Sequence, residues 1–208
     1  MNFFSFFWVP LFYLLWRLIY RKDYSGGVSA FFFGIVTALL QFLFGSIVTP
    51  GGFGFSRWLY GFVEIVSLPV LLPMLVCGGF VLLGALPKSA DFADFALLWI
   101  MPVAVFRALS WGELRDPILL ALVPVLWTAL AVGIHFFISL IIARPKWYVI
   151  IPCLLGILFL PLAAPAVYWA FFSHQSVLGF AIFAAVIIPL LFSVIAGLLR
   201  FKGRQEAA

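Results

Sequence analysis

Seven long apolar runs constrain this chain more than any other feature. They cover approximately residues 3–20, 28–48, 61–85, 95–111, 118–142, 148–172 and 176–199. About 20 apolar residues coiled as an α-helix cross the ~30 Å hydrocarbon core of a bilayer. Lipid offers no hydrogen bonds, so only helices and closed barrels satisfy their own backbone groups there. Barrel strands alternate in polarity, whereas these runs are continuous, so helices are predicted. Composition agrees. Hydrophobic residues make up 66 % of the chain and charged residues 9 %, against about 45–50 % and 25 % in a soluble domain. The expected fold is an all-α membrane protein. It is a bundle of about seven transmembrane helices forming one polytopic domain over residues 1–208, with no soluble domain, long linker or low-complexity tail.

The breaks between runs have local reasons. "RKDYSGG", "TPGGFGFSR", "PKSADFAD", "GELRDP", "ARPK" and "SHQ" supply charge, glycine or proline. Pro50, Pro87, Pro117 and Pro145 stand at boundaries, where a missing N–H is tolerated. The first run has its basic residues after it and no small-residue cleavage site, so it reads as a retained helix rather than a secretory signal. The sixth run holds Pro152, Pro161 and Pro165, compatible with a kinked helix or a re-entrant break. Cys77 and Cys153 both fall within runs, as small buried apolar residues rather than a disulfide or metal ligands.

Lysine and arginine are distributed unevenly. Arg17, Arg21, Lys22, Lys88, Arg144, Lys146, Arg200, Lys202 and Arg204 lie at one set of alternate connections. Arg57 and Arg115 lie on the other, with Arg107 in the last turns of the fourth run. The positive-inside bias places the N-terminus outside and the C-terminus in the cytoplasm. Asp23, Asp91, Asp94 and Glu206 count with the cytoplasmic loops, while Glu64, Glu113 and Asp116 offset the three outer arginines. The whole net charge of +5 then sits on the cytoplasmic face. Setting topology is a sufficient role for it, and it would also attract anionic headgroups. The expected location is a bacterial cytoplasmic (inner) membrane. The expected partners are the lipid bilayer and a membrane protein or a second copy of the chain, and not nucleic acid.

Several residues could carry chemistry. Glu64 lies about one turn inside the third run and Arg57 seven residues before it. Ionisable groups within spans are costly and face the protein interior or a functional site. Arg107 stands about one turn from the end of the fourth run, where it can snorkel outward or clamp an anion with its planar fork. The depths match, so Glu64 and Arg107 are expected to pair, with Glu113 and Arg115 near the same mouth. The rest of "FRALSWGELRDP" is explained by turn geometry: Gly112 as a helix stop, Asp116 and Pro117 as N-cap and first helical residue. Gln41, Thr128 and His135 are buried polar candidates, hydrogen-bonding a neighbouring helix. Ala30, Gly34 and Ala38 form a small-residue stripe at i, i+4, i+8 that permits close helix packing, with a partner that a sequence leaves open.

Enzyme signatures are absent: no HExxH, GxSxG, P-loop or GxGxxG occurs. No cofactor or metal is expected, and a lipid-modifying reaction at Glu64 or His135 is the residual enzymatic reading. The stretch "GGFGFSRWLYGFVEIVSLPVLLPML", residues 51–75, resembles the central segment of the Yip1 family of polytopic membrane proteins, where a glycine-rich turn precedes a helix with a Leu-Pro apolar end. Gly51, Gly52, Gly54, Ser56, Leu68 and Pro69 carry the likeness. The resemblance implies a non-catalytic, membrane-organising or partner-binding role and brings no active-site residues. That family looks five-spanning with this turn cytoplasmic, whereas this chain reads as seven spans with the turn outside. Two functions follow. One is a non-catalytic subunit or scaffold of a membrane complex. The other is a small transporter or channel using Arg57, Glu64, Arg107 and Glu113 as its mouth. A water-filled cavity reaching past Glu64 would mark transport; a dry packed bundle would mark the scaffold.

Overall fold

A computed structural model of the chain describes residues 3–20, 27–45, 55–86, 92–110 and 117–205. Among them every regular element is a helix: α1 Phe3–Tyr20, α2 Gly27–Gly45, α3 Phe55–Phe62, a π-helical segment Val63–Leu71, α4 Leu72–Leu82, α5 Phe92–Ser110, α6 Pro117–Ala143, α7 Trp147–Phe172 and α8 Ser176–Gln205. α3, the π segment and α4 follow one another without a break, so the described chain falls into seven helical stretches. Four of these stretches contain windows long and apolar enough to cross a membrane: Ile65–Leu82, Ala121–Ala143, Trp147–Phe171 and Ser176–Leu199. The apolar parts of α1, α2 and α5 are shorter.

Proline explains the π segment. Pro69 and Pro73 have no N–H to give, and a proline ring clashes with the carbonyl four residues back. Widening the turn relieves both, and the Leu72 N–H reaches Ser67 O, five residues back rather than four. α7 absorbs Pro152, Pro161 and Pro165 and still runs unbroken from Trp147 to Phe172. Its C-terminus closes on His174, whose φ of 58° is left-handed. The His174 N–H bonds Phe171 O at 3.1 Å and the Gln175 N–H bonds Ala170 O at 2.9 Å. These two bonds satisfy carbonyls that the last turn would otherwise leave orphaned.

α5 and α6 form the middle of the packing. Phe95, Leu97, Ile100 and Val103 on α5 and Leu126, Ala129, Leu130 and Val132 on α6 are fully buried. α2 lies along α5; α7 and α8 pack on α6 and on each other; α1 touches α5, α6 and α8; α3 packs on α7. Trp16, Trp99 and Trp127 are the bulkiest residues of this interior. The outer faces are apolar too. Leu11, Leu14 and Leu18 on α1, Leu155 and Leu158 on α7, and Leu191 and Phe192 on α8 are all exposed. A bundle apolar on both its inner and outer faces suits a medium that is itself apolar.

The sequence reading needs one correction here. Asp94 was expected in a polar connection before a helix beginning at residue 95. It belongs to the first turn of α5 and is 2 % exposed. A window of hydropathy ends at a carboxylate, but a carboxylate can enter a helix when a cation from elsewhere in the fold meets it.

Candidate functional site

That cation is Arg17, in the last turn of α1. Its Nη1 donates to Asp94 Oδ2 at 3.5 Å, with the two side chains 35 % and 2 % exposed. The carboxylate is thus enclosed while the guanidinium reaches the surface of the bundle. A turn earlier on α1, the Tyr13 ring lies 6.0 Å from the guanidinium carbon, close enough for a cation–π contact. Placing Asp94 in the first turn of α5 also sets its negative charge near the positive end of that helix dipole.

The remaining polar contacts of α1 extend the pattern. Trp8 Nε1 donates to Thr128 Oγ1 on α6 at 2.8 Å. The Tyr20 hydroxyl donates to Ser193 O on α8 at 2.8 Å. Between them an aromatic ladder, Phe4–Trp8–Phe12–Trp16–Tyr20, stacks at four-residue spacing with centroids 4.2–6.4 Å apart. Residues four apart share a helix face, so a single face of α1 carries the rings together with the Trp8 and Tyr20 hydrogen bonds. His135 on α6 meets this ladder edge-on, its ring 6.0 Å from that of Trp16. Along its own helix His135 Nε2 lies 3.3 Å from Ser139 Oγ. Trp8 faces Thr128 and Trp16 faces His135, so α1 and α6 run parallel. The Arg17–Asp94 pair therefore stands at the end of the bundle where α6 passes into α7.

The stripe of small residues has a covered partner. Ala30, Gly34 and Ala38 are all buried, and a Cβ on Gly34 would lie 2.4 Å from Trp99 O and 2.6 Å from Pro102 Cγ. α2 therefore uses the stripe to bring its backbone onto α5 of the same chain. Phe33 stacks on Trp99 beside it, centroids 5.7 Å apart and 12° between planes. Thr37, in the same stretch, turns its hydroxyl back to Phe33 O at 2.9 Å.

The sequence-predicted outer cluster is placed only by its backbone. Arg57 belongs to α3, Glu64 to the π segment and Arg107 to the last turns of α5, and the π segment packs on α5. The side chains of Arg57, Glu64, Arg107 and Gln41, and all of Glu113 and Arg115, lie outside the described residues. What reasoning from sequence missed is the Arg17–Asp94 pair. The one available signal was a carboxylate directly before an apolar run, "DFADFALLWI". Cys77 and Cys153 are buried, and neither is in a disulfide. Among the described residues no group of three His, Cys, Asp or Glu side chains is arranged to hold a metal. Comparison with known protein families, with curated proteins and with solved structures finds no match.

Proposed function

We propose that this chain is a non-catalytic, multi-spanning membrane protein that acts as a subunit or scaffold for partner membrane proteins. In this reading it has seven spans, its N-terminus outside and its C-terminus in the cytoplasm, and it resides in a bacterial cytoplasmic membrane. The observation that carries the reading is how its polar groups are used. Trp8, Arg17 and Tyr20 tie α1 to Thr128, Asp94 and Ser193 on three different helices. The interior between α5 and α6 is filled with fully buried apolar side chains. Such a bundle holds its shape and offers an apolar outer belt to lipid and to other helices. Membrane helices associate through close packing and shared hydrogen bonds rather than through burial from water.

The test is site-specific photo-crosslinking in native membranes from Leu158 on α7 and Leu191 on α8, both exposed. A discrete adduct with one other membrane protein, or with a second copy, is expected from one of these faces. Lipid adducts alone from both faces, together with a purified monomer that is active by itself, would overturn the reading.

A second reading, a small transporter or channel, is favoured by two features. Asp94 is an enclosed carboxylate, and the π-helical segment that packs on α5 is the kind of helix irregularity that recurs at functional sites. Reconstituted in liposomes, such a protein would give flux that falls in the Asp94→Asn, Glu64→Gln and Arg107→Ala variants. Flux unchanged in all three removes this reading.

A further inference from the structure

The α6–α7 junction is built differently from the other described turns. Its residues Arg144, Pro145 and Lys146 are exposed, and so are Trp147 and Tyr148, at 74 % and 55 %. The turn is nonetheless fixed by backbone bonds. The Arg144 N–H reaches Leu140 O at 3.0 Å, the Lys146 N–H reaches Arg144 O at 2.7 Å, and the N–H groups of Val149 and Ile150 both reach Lys146 O. Two cations and two aromatic rings are thus presented together on a short, held segment. Lys146 Nζ stands 5.8 Å from the centre of the Tyr148 ring, and the Trp147 and Tyr148 rings meet edge to face at 6.0 Å. The turn between α7 and α8, by contrast, is Ser173, His174 and Gln175, with no lysine or arginine. At the end of α4 the exposed residues are Leu82, Leu83, Gly84 and Ala85.

Below the basic turn the surface changes character without a gap. Ile151 and Leu155 continue the exposed side of α7 at four-residue spacing and are 52 % and 61 % exposed. This apolar strip goes on to Leu162, about 20 Å along the helix from Tyr148 at 1.5 Å per residue. That exceeds one leaflet's share, ~15 Å, of a ~30 Å hydrocarbon core. Cations above, amphipathic rings at the level of the headgroups, and an apolar strip beneath match the three zones of one anionic phospholipid: phosphate, glycerol and acyl chain.

We propose that Arg144, Lys146, Trp147 and Tyr148 form a binding site for an anionic phospholipid, its acyl chain lying on Ile151 and Leu155. The proposal rests on the membrane reading above but is independent of the scaffold role. It assigns a specific place to an attraction that the basic face as a whole would otherwise exert diffusely.

The experiment uses the full chain, purified in mixed micelles of phosphatidylglycerol and phosphatidylcholine, with retained lipid counted by native mass spectrometry. The wild type is expected to keep phosphatidylglycerol selectively, and less of it at high salt. The R144Q/K146Q variant should bind it roughly 30-fold more weakly, as two cations near a headgroup imply. The charge-preserving R144K/K146R variant should stay within about 3-fold, which separates loss of charge from loss of fold. R200Q/K202Q, which removes two cations assigned to the same face from α8, is expected to change little. Equal losses in R144Q/K146Q and R200Q/K202Q, or no loss in R144Q/K146Q, would overturn the proposal in favour of a diffuse field. Full displacement of the lipid by millimolar inorganic phosphate would also overturn it, because the site would then take free anions. A wild type that carbonate washing strips from membranes and that keeps neither lipid would bring down the membrane reading first and this proposal with it.

Discussion

α5 carries two neighbours that are held by opposite means. On one side α2 lies so close that a Cβ at Gly34 would overlap the Trp99 carbonyl oxygen. There, fit is between backbones, with Phe33 stacked on Trp99 alongside. The other neighbour, α1, is tied to α5 by the Arg17–Asp94 pair, while further polar contacts bind α1 to α6 and α8. The first interface is specified by shape, the second by a few placed donors and acceptors. The difference has consequences for what each will tolerate. A shape-matched contact fails when anything is added to it, and a polar contact fails when one of its partners is taken away.

The largest effect is therefore expected from the smallest addition. Gly34→Ala forces a methyl group into Trp99 O at 2.4 Å and Pro102 Cγ at 2.6 Å, one a backbone atom and the other part of a rigid ring. Overpacking of this kind costs about 1–3 kcal/mol, and with no flexible neighbour the upper end, about 3 kcal/mol, is expected. Gly197→Ala on α8 provides the control from the α1 side. Its added Cβ would meet Ile19 Cγ2 at 2.5 Å and the Tyr20 ring at 2.9 Å. Both are side-chain rather than backbone atoms, but Ile19 is buried and Tyr20 is held by Ser193, so an intermediate cost of about 2 kcal/mol is expected. Unfolding midpoints in a mixed-micelle denaturant titration measure both. Equal losses would show that a clash with backbone and a clash with side chains cost the same here, and that α2 is not held more rigidly on α5 than α1 is on α8.

Next in size is the asymmetry inside the ion pair. Breaking a buried pair by removing one partner costs about 3–5 kcal/mol, because a buried charge is left behind. Here only one partner is enclosed, since Arg17 is 35 % exposed and Asp94 2 %. Arg17→Met takes the Arg17 guanidinium from the enclosed carboxylate and is expected to cost about 2 kcal/mol after allowing for solvent at the arginine. Asp94→Asn leaves an arginine that can reach outward and is expected to cost about 1 kcal/mol. The order of the two variants in the same titration is the readout, and the reverse order would mean that Asp94 is not the enclosed partner.

This pair also marks where a sequence stops being legible. The helices could be located because each is a long apolar run, a local property. Their ends were less legible wherever a charge was taken as a stop. Asp94 is enclosed against Arg17, which is 77 positions away, and no window of neighbouring residues contains that partner. The same limit applies to Ala30, Gly34 and Ala38. Their spacing identifies a face made for close approach, but a period cannot say what covers it, and α5 does. That coverage removes the stripe as grounds for a second chain. Pro69 and Pro73 each remove a backbone donor, but their positions alone do not say that the helix widens into nine π-helical residues. The outer cluster of Arg57, Glu64, Arg107, Glu113 and Arg115 remains a sequence expectation, because the side chains that would test it lie outside the described residues.

The smallest effect concerns the hydrogen bond from Trp8 on α1 to Thr128 on α6. Thr128 Oγ1 accepts from Trp8 Nε1 at 2.8 Å and itself turns back to Pro124 O on its own helix. Thr128 is fully buried, whereas Trp8 is only partly so. Loss of the hydroxyl therefore leaves an indole N–H with some access to other acceptors, and the cost is modest. Interhelical side-chain bonds in membrane proteins couple by about 0.6 kcal/mol on average. T128V and W8F, combined in a double-mutant cycle, isolate that coupling from the packing that each substitution changes by itself. T128S keeps the hydroxyl and should keep the coupling with Trp8, although its missing methyl lowers stability through packing. A coupling near zero would place the specificity of the α1–α6 contact in the aromatic ladder, and α1 would then be held by shape at α6 as α2 is at α5.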